Sequence, residues 1–95
     1  MAANIDDLTI EYVDNGVTTV KELDKIVLSK GAWSTIIFKY QSWNAGKEAY
    51  GPVAFTIRRY QKRNGEYTPR SKFNISSEEQ ARKIIDALET WMKEE

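Results

Sequence analysis

The dipeptide Asn64-Gly65 constrains this chain more than any other feature. Before it runs VAFTIRRYQK, residues 53–62, and after it YTPRSKFNI, residues 67–75; both alternate apolar with polar side chains. Two alternating runs joined by Asn-Gly read as a β-hairpin, because such a turn accepts the positive φ angles that twisted, paired strands demand. Successive side chains point to opposite sides of a strand, so the hairpin has two faces. Strict alternation places Val53, Phe55 and Ile57 with Ser71, Phe73 and Ile75 on an inward face. Thr56, Arg58, Tyr60 and Lys62 then share the outward face with Thr68, Arg70, Lys72 and Asn74.

The rest of the chain extends this pattern. The first few residues read as a disordered lead-in. Leu8, Ile10 and Tyr12 alternate with polar neighbours and predict a strand, Asp14-Asn15-Gly16 a turn, and VTTVKELDKIVLS, residues 17–29, a longer strand. SKG then punctuates, and AWSTIIFKYQSW, residues 32–43, is a β-branched and aromatic strand. In it Ile36, Phe38 and Tyr40 fall inward and Thr35, Lys39, Gln41 and Trp43 outward, with Ile37 an apolar misfit. NAGKEAYGP is a loop. The final segment predicts a helix with Ser77 as N-cap and Gln80 completing a capping box. Its apolar side, Ala81, Ile84, Ile85, Leu88, Trp91 and Met92, has helical spacing. About four antiparallel strands followed by one C-terminal helix make an α+β domain. One helix covers one face of such a sheet, which leaves the other, basic face open.

Charge is neutral overall but segregated. Residues 1–29 carry Asp6, Asp7, Glu11, Asp14, Glu22 and Asp24 against Lys21 and Lys25, a net −4. Residues 30–72 hold nine Lys or Arg against Glu48 and Glu66, a net +7, and residues 73–95 sum to −3. The basic middle points to an anionic partner. A basic face interleaved with Tyr60 and Trp43 suits single-stranded nucleic acid, where cations follow phosphates and rings stack on bases. A solvated charged face is the alternative reading of the same residues. The acidic first third can fold over the basic face and compete with a nucleic acid.

The chain of 95 residues is one domain, without Cys or His. No disulfide, cofactor or metal site is expected. The start MAANIDDLTI lacks the basic and apolar regions of a secretory signal, so a cytoplasmic protein is expected, nucleoid-associated if bacterial and nuclear if eukaryotic. No nucleotide-binding or nucleophile motif is present, and the acidic pairs have no His, Cys or third ligand beside them. An enzyme is not expected.

The stretch FTIRRYQKRNGEYTPRSKFNISSEEQ resembles the positive cofactor four family of transcriptional coactivators. Phe55, Ile57, Arg58 and Tyr60 match that family's first hairpin strand, and Gly65 and Glu66 its turn. Pro69 and Lys72 match the next strand, and Glu79 and Gln80 the helix start. The resemblance covers residues 53–92. It implies a curved antiparallel sheet, a symmetric homodimer and binding of single-stranded DNA with little sequence specificity, in transcription or DNA maintenance. Gln61 stands where the family commonly has a stacking aromatic, and Arg70, Ser71 and Phe73 stand in a strand that usually contains Gly.

Residues 1–20 are taken as an acidic extension, possible strand included, and residues 21–95 as the binding domain. Arg58, Lys62, Arg70 and Lys72 are the expected phosphate contacts, with Lys39 on the neighbouring strand and Arg63 at the hairpin tip. Tyr60 and Trp43 are the expected stacking residues, although Trp43 also reads as an anchor for its loop. Arg59 has inward parity and is left out. Trp33 reads as core or interface, and Leu88, Trp91 and Met92 as the dimer interface. Two other partners suit the same residues: RNA, on the same module, or an acidic protein docked on the basic face.

Overall fold

The computed structural model describes residues 4–94. The expected lead-in, at residues 1–3, lies outside the described residues. A 3-10 turn at Ile5–Asp7 precedes strands β1 (Tyr12–Asp14), β2 (Val17–Ser29), β3 (Trp33–Asn44), β4 (Ala49–Tyr50), β5 (Ala54–Arg63) and β6 (Glu66–Ile75), and helix α1 (Glu78–Lys93) closes the chain. All pairings are antiparallel, in the order β1-β2-β3-β5-β6, with the short β4 also on β3. The expected α+β architecture is present: a curved antiparallel sheet and one C-terminal helix. Asn64 and Gly65, at φ 53° and 77°, make the tight turn of the β5–β6 hairpin, and Asn15 and Gly16 do the same between β1 and β2. The expected boundary at residue 20 falls inside β2.

Curvature comes from bulges, which bend a strand by inserting an unpaired residue. β2 carries Leu23 and Leu28 as extra residues against β3, and β6 carries Arg70 as an extra residue against β5. Pro69, which has no N–H to give a ladder, sits beside that last bulge on an edge strand, where such a residue is tolerated.

Cross-strand register corrects the expected faces. Ile36 and Phe38 pair with Arg58 and Thr56, and Ile37 pairs with Ile57. Directly opposed residues share a face. The front face therefore holds Ile36 and Phe38 together with Thr56, Arg58, Tyr60 and Lys62, while Phe55 and Ile57 lie on the back face with Ile37. Parity within one strand is readable from sequence, but which parities of two strands coincide depends on register, which alternation alone does not set. The Arg70 bulge also breaks alternation in β6, so Thr68 opposes Gln61 on the back face and does not join Lys72.

The front face bears the core. Ile36 and Phe38 are 0% exposed, and they cluster with Tyr60, Tyr67, Ile5 and Leu8. The cover is residues 4–10, a strap across the sheet, and not the helix. Leu8–Glu11 was expected to pair as a strand; instead Leu8 and Ile10 turn their side chains onto the cluster. Lys25 Nζ holds the strap by donating to the carbonyl oxygens of Asp6 and Leu8, at 2.7 and 2.6 Å.

Helix α1 forms as expected. Ser77 Oγ accepts from the Gln80 amide, and Gln80 Oε1 accepts from the Ser76 amide. Glu78 and Glu79 pair with Arg82 and Lys83 one turn on. It leaves the end of edge strand β6, which is its main contact with the sheet. None of its residues is buried. The back face is partly covered: Ile75 is buried, Ile37 and Ile57 are half-buried, and Ile26 and Phe73 are exposed at the two ends of a row aligned across four strands. No helix among the described residues is long and apolar enough to cross a membrane.

Candidate nucleic-acid interface

The β5–β6 hairpin gathers cations around its bulge. Arg58 and Lys72 face each other in register on the front face, and Arg59 pairs with Ser71 on the back face. Between them Arg70 is the extruded residue. Arg58, Arg59, Arg70 and Lys72, with Pro69 and Ser71, line one cavity of about 240 Å³. Among the described residues, ion pairs join helix side chains only, so no acid neutralises these cations.

Three of the guanidinium groups are held in place. Arg58 Nε donates to Thr56 Oγ1 at 3.0 Å, and that hydroxyl in turn donates to Asn74 Oδ1 at 2.7 Å. Thr56 is buried, so this support is fixed by the sheet. Arg70 Nε donates to Gln61 Oε1 at 3.1 Å. The Arg59 guanidinium lies 4.7 Å from the centre of the Trp33 ring. A guanidinium tethered through Nε keeps its terminal N–H groups for a bidentate acceptor such as a phosphodiester. Lys62 adds an ammonium 5.4 Å from the Tyr67 ring centre, on the front face.

The other expected residues lie elsewhere. Lys39 opposes Phe55 on the back face, away from Arg58 and Lys72. Trp43 is on the back face too, packed edge-on against Tyr50 with ring centres 5.1 Å apart. Tyr50 itself donates to the Thr18 carbonyl and sits under Lys21, so Trp43 is tied into the loop between β3 and β5. Arg63 opposes Glu66 at the hairpin tip. Tyr60 is on the front face with Arg58 but buried under the strap, 4% exposed. Burial raises its phenol above the ordinary pKa; the Arg58 guanidinium pulls against that rise and the Glu22 carboxylate adds to it.

No family model, curated protein or solved structure matches the chain. The site therefore rests on its own geometry.

Sequence reasoning missed three of its members. Alternation gives Arg59 inward parity, yet the bulge brings it beside Arg70. Pro69 inside a strand was the available signal, since Pro in a strand marks an edge or a bulge. Thr56 and Gln61 carry no charge, and only the folded hairpin shows that they hold Arg58 and Arg70.

Proposed function

We propose that this chain binds single-stranded DNA with little sequence specificity, as a coactivator-like or DNA-maintenance protein of the cytoplasm, nucleoid or nucleus. The observation that carries the reading is the set of hairpin cations that meets no acid. Like charges this close repel one another, and a polyanion relieves that repulsion while releasing its own counterions. The contacts would be Arg58, Arg59, Arg70 and Lys72 around the bulge, with Lys62 beside them. These donors read phosphate, which repeats along any strand, and so give little base preference. The resemblance of residues 53–92 to the positive cofactor four family supports the same ligand.

The working form is a symmetric dimer in this reading. Trp91 is 65% exposed, Met92 62% and Leu88 49%, on a helix that packs mainly against the end of β6. A second copy would cover this stripe and the exposed Ile26 and Phe73 of the back-face row in a two-fold arrangement. An oligonucleotide panel of single strand, duplex and RNA tests the ligand. Preference for the DNA single strand is expected; no binding to any single strand at low salt overturns the reading, and preference for RNA reassigns the ligand.

A further inference from the structure

The strap conceals three aromatic rings on the same face as the proposed phosphate contacts. Phe38, Tyr60 and Tyr67 form the floor, and Ile5 and Leu8 sit on it with Ile10 alongside. Arg58, Lys62 and Lys72 border this floor on the front face. We propose that the strap seat is a covered base-binding site, where unpaired nucleobases and residues 4–10 compete for the same rings. The inference rests on the binding function proposed above.

Four observations carry it. First, base faces stack on aromatic rings whatever the sequence, and this floor lies within one strand-width of cations that would hold the phosphates. Second, the strap is not woven into the sheet. Among the described residues, the main-chain bonds of residues 4–11 are local, Asp7 to Asn4 and Leu8 to Ile5, and the β ladder begins at Tyr12. Third, side chains make its ties to the sheet: Lys25 to the carbonyls of Asp6 and Leu8, Thr9 Oγ1 to Glu22, and the Glu22 amide to Glu11. A segment held that way opens without breaking a strand pairing. Fourth, the strap exposes Asp6 and Asp7, with Glu11 exposed just beyond it, so it repels an incoming polyanion and is repelled by one already bound nearby.

Competition lowers the apparent affinity by the fraction of molecules whose seat is open. Shortening an apolar side chain of the strap raises that fraction without altering the charge. The test uses the full chain and a dT oligonucleotide, with methyl NMR of Ile5 and Leu8. On saturation both methyl sets should leave the ring-shifted positions of a residue packed on Phe38, Tyr60 and Tyr67. Leu8→Ala and Ile5→Ala, checked for folding by thermal melting, should bind the oligonucleotide about tenfold tighter or more. Should either variant fail to fold, the wild-type methyl shifts decide alone. Binding that leaves both methyl sets in place, with affinity in the folded variants unchanged, overturns the covered site and spares the phosphate-binding hairpin. If neither the wild type nor a folded variant binds at low salt, the binding function itself falls.

Discussion

Arg58 links the buried sheet to the proposed ligand. Its guanidinium is oriented by Thr56, which is itself fixed by Asn74. Thr56→Val keeps the volume and removes the acceptor, so it should weaken oligonucleotide binding while leaving the charge unchanged. Equal affinity of Thr56→Val and wild type in a fluorescence titration would show that Arg58 needs no support. Tyr60 gives a second prediction. Its phenol titrates near pH 10 in an unfolded chain and higher in the fold, where burial disfavours the charged form. Stability from this group is therefore complete below about pH 10 and is lost as pH rises through the folded value. Tyr60→Phe should flatten that alkaline decline in a series of urea melts, whereas an unchanged decline would assign it to other groups.

At the scale of elements, the hairpin and helix were legible because their signals are local. Asn64-Gly65 defines a turn whatever the rest of the chain does, and Ser77 with Gln80 defines a helix start. Ser77→Ala should cost about 1 kcal/mol and reduce helical circular dichroism, since it removes the acceptor for the Gln80 amide. The strap was not legible. Leu8, Ile10 and Tyr12 alternate as a strand does, but only the three-dimensional sheet shows that Leu8 lies outside the ladder, in the buried cluster with Phe38. Face assignment failed for a related reason, because Ile36 opposing Arg58 is a long-range fact of register. The candidate site was half legible: Arg58, Lys62, Arg70 and Lys72 were found by charge, while Lys39 and Trp43 proved to be on the other face. Leu88→Glu, placed on the exposed stripe of α1, should shift the protein to monomers in sedimentation without unfolding the sheet. A mass that does not change would remove the helix from the interface.

The whole molecule is a slab, 50 × 38 × 17 Å, about one sheet thick. Its core lies on the front face, while Ile26 and Phe73 on the back face and the helix stripe are exposed to solvent. A second copy would bury those surfaces and link stability to concentration. Light scattering should then give twice the 11.0 kDa chain mass, and the melting temperature should rise with protein concentration. Net charge is zero, yet the ends are acidic and the middle basic, so the molecule presents a positive hairpin to any polyanion. The most direct test is a salt series of dT oligonucleotide titrations on the wild type and on Arg58→Ala combined with Lys72→Ala. With Arg58, Arg59, Lys62, Arg70 and Lys72 on phosphates, the log affinity should fall against log salt with a slope of about −3.5 for the wild type and about −2 for the double variant, at about −0.7 per phosphate of a single strand. A wild-type slope near zero, or the same slope in both proteins, would contradict a hairpin that binds phosphate.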